Sequence, residues 1–305
     1  MRVLLDGDVL ERTRADEAVE LMSEALARSY RGELASPPRV LVDAGAARFT
    51  FTVGGVRDGV SGFRIYGDWP GGGEQIVPVW EADGTLLGIV VGGALATLRT
   101  GALGGAAVAA LARADSRRLG VIGSGRIAWA QVWATMATRP IDRVDVFSPT
   151  RAHRERFAQR VAAEFGVAAY AVDDAREAAS DHDIVIVSTD STSAIVDAEW
   201  ISPGTHVTST GPKSASGSEL DARMVERADV VVSDSPQQAD ATVDGWFTDL
   251  RPAHLGAIIA GVSPGRRRDD DLTLYLSTGL AGTEVLLAER LLRAYPGTIR
   301  SYPTV

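Results

Sequence analysis

A glycine-rich turn near the middle of the chain carries the most specific chemistry. The apolar run Arg118-Leu119-Gly120-Val121-Ile122 passes into Gly123-Ser124-Gly125-Arg126-Ile127-Ala128, a Gly-x-Gly-x-x-Ala turn that opens a helical pattern. The first glycine permits a tight turn, the second lets the backbone approach a pyrophosphate, and the small Ala128 lets helix and strand pack closely. The unpaired N–H groups and dipole of the helix N-terminus then favour an anion, so Gly123, Ser124, Gly125, Arg126 and Ile127 are expected to hold phosphate. The pattern alone also fits an ordinary strand-to-helix turn. Its context favours a dinucleotide, because a second strand, Arg143 to Phe147, begins one helix length later and Ser148 lies 25 positions beyond Gly123.

The end of that second strand bears on which dinucleotide. An NAD site usually places Asp or Glu there for the ribose 2′-OH, whereas this chain reads Val146-Phe147-Ser148-Pro149-Thr150-Arg151. The hydroxyls of Ser148 and Thr150 can donate hydrogen bonds, and the Arg151 guanidinium suits a phosphate bidentately. NADP is therefore expected over NAD. The alternative is that Arg151, with Arg154, Arg156 and Arg160, forms the solvated face of the next helix.

These residues need elements to position them, and 305 residues are enough for two domains with separate cores. From Arg118 onward strands and helices alternate: Arg143 to Phe147, Val167 to Val172, Asp183 to Ser188, Thr205 to Thr210 and Asp229 to Ser233 read as buried parallel strands, and Leu272 to Leu276 is strand-like. The first ninety residues differ. After a helix with Ala15, Ala18, Val19, Met22, Ala25 and Leu26 at helical spacing come short strands at Arg39 to Asp43, Arg48 to Val53, Gly62 to Tyr66, Gln75 to Glu81 and Leu86 to Val91, which predict an antiparallel sheet. A small-residue helix, Ala94 to Ala114, follows.

The net charge of −9 argues against nucleic acid or an anionic membrane as a general partner. The absence of cysteine excludes disulfides, thiolate catalysis and cysteine metal sites. The N-terminus lacks a signal-peptide core, and no run approaches the roughly 18 apolar residues that span a bilayer, so a cytoplasmic enzyme is expected. His153, His182, His206 and His254 are scattered without metal-ligand spacing, and no metal is expected. Gly71-Gly72-Gly73 reads equally as a mobile flap or a plain surface turn.

Taken together, Ala96-Thr97-Leu98-Arg99-Thr100, the Gly123 turn, Phe147 to Arg151, Ser188-Thr189-Asp190-Ser191, Pro203-Gly204-Thr205-His206-Val207, Gly217-Ser218-Glu219-Leu220-Asp221 and Leu272 to Gly279 resemble the ornithine cyclodeaminase and mu-crystallin superfamily over nearly the whole chain. Members include cyclodeaminases, alanine dehydrogenases and ketimine reductases. The resemblance implies an α/β fold in which a Rossmann dinucleotide-binding domain, residues 116–289, stands with an antiparallel α+β substrate-binding and dimerisation domain, residues 1–115 with 290–305. It also implies a homodimer and hydride transfer between a nicotinamide and the α-carbon of an amino acid or its imine. Thr100, Thr189, Gly211, Ser277 and Gly279 would then join the cofactor site.

The substrate needs a carboxylate clamp, and Arg39 and Arg99 stand at the family positions that supply it; alternatively either pairs with an internal Asp or Glu. Two departures stand out. Arg64 replaces a lysine usual in the family, and an arginine can orient a carboxylate but hardly shuttle protons. Lys213 stands at or near an aspartate found in cyclodeaminases, which disfavours a substrate with a second ammonium. If desolvated, Lys213 would have a lowered pKa and could act as general acid, so Arg64 and Lys213 are the candidate catalytic residues; otherwise Lys213 points into solvent from its Gly-Pro loop. The expected function is an NADPH-dependent imine reductase or amino-acid dehydrogenase acting on a small molecule. A cyclodeaminase-like lyase and a non-catalytic NADP-binding regulator remain as alternatives.

Overall fold

The computed structural model describes residues 2–70, 72–214, 217–238 and 251–295. Two compact units emerge, Met1–Arg99 with Gly279–Val305, and Thr100–Thr278. Their breaks differ from the expected 115/116 and 289/290, for reasons of packing given below. The expected contribution of residues 296–305, and Gly71 of the glycine run, lie outside the described residues.

The first unit is built on a seven-stranded sheet. Its strands are β1 (Arg2–Leu4), β2 (Leu34–Ala35), β3 (Val40–Asp43), β4 (Arg48–Val56), β5 (Ser61–Gly67), β6 (Ile76–Trp80) and β7 (Leu86–Val91). The order is β1-β7-β6-β5-β4-β2, with β3 also on β4. The pairs are antiparallel as expected except at β1, which runs parallel to β7 from Arg2 opposite Gly88. Helices α1 (Asp6–Arg12) and α2 (Ala15–Tyr30) belong to this unit; α2 buries Ala18, Val19, Met22, Ala25 and Leu26, the stripe its spacing predicts. The C-terminal helix Thr283–Ala294 packs on α2 and on β4 to β7, burying Val285, Leu286, Leu287, Leu291 and Leu292. That apolar face is why residues 279–289 join this unit. Gly54 permits the approach: a Cβ there would lie 2.3 Å from Gly282 Cα.

Helix α3 (Ala94–Leu111) holds the break between Arg99 and Thr100. By length and composition it could cross a membrane, contrary to expectation, but 78% of it is buried within the protein, as a core helix is. Its small residues explain both properties and assign its later turns to the second unit. Side chains at Gly101 and Gly104 would collide with Ala130 and Gln131.

The second unit carries β8 (Arg118–Ile122), α4 (Arg126–Met136), β9 (Arg143–Phe147), α5 (Arg151–Phe165), β10 (Ala168–Ala171), α6 (Ala175–Ala179), β11 (Ile184–Val187) and β12 (His206–Ser209). A small antiparallel hairpin follows, β13 (Lys213–Ser214) with β14 (Gly217–Ser218), then α7 (Ala222–Arg227), β15 (Val230–Ser233), β16 (Ala253–His254), the helix Leu255–Ile259 and β17 (Thr273–Leu276). The large sheet has the order β10-β9-β8-β11-β12-β17-β15-β16 and every pair in it is parallel. Strand order reverses between β8 and β11, the place where doubly wound sheets leave a crevice at the carboxyl ends of their strands.

Candidate functional site

At that reversal β8 runs into the glycine turn. Gly123 has φ +117°, and a Cβ there would sit 2.0 Å from the Ser188 carbonyl oxygen, so only glycine fits. At Gly125, the N-cap of α4, an added Cβ meets nothing within 4 Å, which leaves the backbone open to an incoming group. No side chain caps α4, so its first N–H groups remain available to phosphate. A cavity of about 630 Å³ lies here, lined by the expected residues Gly123, Ser124, Gly125, Arg126, Ile127, Ser148, Thr150 and Thr189, and by Pro149, His153, Ser188, Asp190 and Thr210. Ser124 Oγ donates to Ser148 Oγ at 3.0 Å, tying the glycine turn to the tip of β9. The geometry therefore fits a dinucleotide pyrophosphate; the tip of β9 itself, Ser148-Pro149-Thr150, carries hydroxyls and no carboxylate, and Asp190 is the acid among the lining residues.

Three side chains differ from expectation. Arg151 does not line the cavity; its side chain is 77% exposed and its Nε donates to Glu155 at 2.7 Å, a pairing set by their i,i+4 spacing on α5. Arg154 is buried rather than solvated, donating from Nη1 to the Ser148 carbonyl at 3.0 Å and pairing with Asp173. His153, which spacing left without a role, lines the cavity because the first turn of α5 carries it beside Thr150.

Farther along the same sheet, Glu219 organises the ends of β11 and β12. Its fully buried carboxylate accepts hydrogen bonds from Thr189 N and Oγ1 at 2.9 Å each, and from Ser209 Oγ and Gly211 N at 2.6 Å each. Gly211 is required here, since a Cβ would lie 2.2 Å from Glu219 Oε2. Ser277 N donates to the Ser209 carbonyl at 3.0 Å, so Thr189, Gly211 and Ser277 are gathered around adjacent strand ends. Lys213 is buried and does not point into solvent; its Nζ donates to the Gly211 carbonyl at 2.7 Å. Burial lowers its pKa to about 8, against the opposing pull of Glu219 and Asp234. Among the described residues no group of three or more His, Cys, Asp or Glu could hold a metal ion.

In the first unit the structure brings the three expected arginines together. Arg64 on β5 and Arg99 on α3 both reach Glu284, in the first turn of the C-terminal helix, at 3.1 and 2.8 Å. Arg64 Nε also donates to Gln75 Oε1 at 2.8 Å, and its guanidinium lies 4.1 Å from the Tyr66 ring centroid. Gly279, at φ +90°, sits against the other two: a Cβ there would be 3.2 Å from Arg39 Nη2 and 3.9 Å from Arg99 Nη1. Burial works to raise the Glu284 carboxyl, but Arg99 and then Arg64 more than offset it and hold it below the ordinary range. Arg64 and Arg99 therefore do pair with an internal acid, but with the same one, and the trio keeps a net positive charge suited to one carboxylate. Thr100, next to Arg99, is fixed through its carbonyl by Gln131 Nε2 at 2.9 Å. Glu284 and Glu219 escaped sequence reasoning; the only signal for either was the Gly217-to-Asp221 motif around Glu219.

Delta(1)-pyrroline-2-carboxylate reductase of Bacillus cereus is 34% identical over 217 residues, 68% of this chain and 66% of that protein, so the match spans slightly less than two thirds of the relative. Among solved structures, Thermococcus litoralis Delta(1)-pyrroline-2-carboxylate reductase in complex with NADH and L-proline superposes with a TM-score of 0.86 at 26% identity, covering 96% of this chain and 97% of that one. An archaeal alanine dehydrogenase dimer with bound NAD gives a TM-score of 0.86 at 25% identity, covering 96% and 95%. A sequence model of the ornithine cyclodeaminase/mu-crystallin family matches residues 1–292, which take in the glycine turn, the strand-end hub and the arginine cluster, and on that extent the chain belongs to this family.

Proposed function

We propose that this chain is an NADPH-dependent oxidoreductase that reduces a carboxylate-bearing imine, or runs the reverse dehydrogenation of an amino acid. The observation that carries the reading is the cavity at the strand-order reversal, with its open glycine backbone and with hydroxyls rather than a carboxylate at the β9 tip. Gly123 to Ile127 hold the pyrophosphate, Ser148 and Thr150 take the 2′-phosphate, and Thr100, Thr189, Gly211, Ser277 and Gly279 serve the nicotinamide half. When bound, the cofactor supplies a hydride to the carbon of the C=N bond. Arg39, Arg64 and Arg99 hold the substrate's carboxylate. Lys213, with a pKa of about 8, delivers or accepts the proton at the nitrogen near neutral pH. The imine class is supported by the relatives' names, and a cyclic imine with one carboxylate suits the net charge of the Arg64–Arg99–Glu284 trio.

The first unit is the substrate-binding and dimerisation domain and the second the cofactor domain. Support for a homodimer comes from the sheet of the first unit, where Val40, Leu41, Val42, Val53 and Ile76 are each at least 40% exposed. A cyclodeaminase reading is disfavoured by the cation at Lys213, which would repel a second substrate ammonium.

Spectrophotometric NADPH oxidation with a panel of cyclic imines, and of 2-oxo acids plus amines, tests the reading. Turnover of at least one imine supports it. Ammonia release without net NADPH consumption would instead indicate the lyase, and tight NADPH binding without turnover a regulatory protein.

A further inference from the structure

We propose that His153, and not Arg151, supplies the side-chain hydrogen bond to the 2′-phosphate of NADP(H) and thereby sets the chain's preference between the two nicotinamide dinucleotides. The inference rests on the NADP assignment above and adds the residue that enforces it.

Three arginines and one histidine stand in the first turns of α5 beside the β9 tip, and two of the arginines, Arg151 and Arg154, are paired with other groups. Arg151 is drawn along the helix surface to Glu155 and stays outside the cavity. Arg154 spends its guanidinium on the Ser148 carbonyl and Asp173, which fixes the tip, and it does not line the cavity. Arg156, exposed as His153 is, lies two residues farther into the helix and does not line the cavity. His153 alone of this group lines the cavity, together with Ser148, Pro149 and Thr150.

The chemistry suits the position. An imidazolium donates a charge-assisted hydrogen bond to a phosphate oxygen, and a neutral imidazole still donates one neutral bond. The backbone N–H of His153 is bonded to the Thr150 carbonyl at 2.9 Å, which anchors the residue at the helix start, and its side chain lines the cavity. NADH, which presents only a ribose hydroxyl at this point, gains less from an imidazole donor there. A carboxylate at this position would instead accept from that hydroxyl and repel the phosphate.

The test is equilibrium binding of NADPH and NADH to the full-length protein, with 2′,5′-ADP and 5′-ADP as competing probes that carry no nicotinamide. His153→Ala should weaken NADPH and 2′,5′-ADP about tenfold or more and leave NADH and 5′-ADP within about twofold. His153→Asp should move the preference toward NADH, and Arg151→Ala should leave all four ligands within about twofold. Because NADH binding is read on the same sample, a misfolded variant shows itself as loss of both cofactors, and His153→Asn then replaces it. The proposal is overturned if wild-type protein favours NADPH while His153→Ala keeps that preference, or if Arg151→Ala is the variant that loses it. A wild-type protein that binds NADPH no more tightly than NADH would instead refute the NADP assignment itself.

Discussion

Replacing Lys213 with methionine should separate the account of activity from the account of stability, since the two move in opposite directions. The lysine is buried and its pKa falls from 10.5 to about 8. At 1.36 kcal/mol per unit, keeping it charged in the fold at pH 7 costs about 3 kcal/mol. The sign follows from proton counting. Between pH 8 and 10.5 the unfolded chain binds the proton and the folded chain does not, so this penalty is complete below about pH 8 and is relieved as pH rises toward 10.5. Methionine fills a similar volume without charge, at the loss of the bond from Nζ to the Gly211 carbonyl, worth about 1–2 kcal/mol. Lys213→Met should therefore be more stable by about 1–2 kcal/mol in urea denaturation at pH 7, with a melting temperature higher by a few degrees. Its kcat/KM for imine reduction should fall roughly 10²–10⁴-fold. The wild-type rate should decline tenfold per pH unit above about pH 8 as the acid form is lost, and the variant should lack that limb. Wild-type kcat/KM with an unchanged alkaline limb in the variant would refute the acid role. A less stable variant would refute the burial penalty.

Other outcomes follow from distances already given. Arg99→Lys keeps the charge but loses the planar fork that meets Glu284, so KM for a carboxylate substrate should rise roughly 10–100-fold with a smaller change in kcat, measured by steady-state kinetics. Gly123→Ala places a Cβ about 2.0 Å from the Ser188 carbonyl at an unfavourable φ. It should cost about 2–4 kcal/mol in urea denaturation and abolish measurable NADPH binding. Lysines at Val40 and Val42, which are 58% and 44% exposed, should leave the fold intact and shift the protein to monomer in analytical ultracentrifugation.

Much of the second unit was legible because its signals are local. The glycine turn, the strand after one helix length and the apolar runs each occupy a few consecutive residues, and β8 and β9 fall where spacing puts them. Five of the first unit's strands were legible as short runs between turns, but β1 and β2 were not, since three and two residues carry no periodicity. The arginine cluster shows a different limit. Arg39, Arg64 and Arg99 could be named one by one, yet the acid that binds two of them stands 220 positions from Arg64, and no local pattern announces such a pair. Lys213 was ambiguous for a related reason: a Gly-Pro loop usually faces solvent, whereas here Lys213 starts the short strand β13 and is buried with its Nζ on the Gly211 carbonyl. Arg151 misled because its type suits phosphate while its i,i+4 neighbour Glu155 claims it. The unit breaks were displaced because helix packing, at Gly101 and Gly104 on one side and Leu286 to Leu292 on the other, decides membership rather than composition.

The central claim is that hydride passes from the nicotinamide to the carbon of a C=N bond. Its most direct test is single-turnover reaction of the wild-type protein with NADPH deuterated at the transferred C4 position and Δ1-pyrroline-2-carboxylate, with the product read by mass spectrometry. The account predicts one deuteron at the product's α-carbon for each NADPH consumed. Unlabelled product, or consumption of NADPH without an amine product, would contradict it.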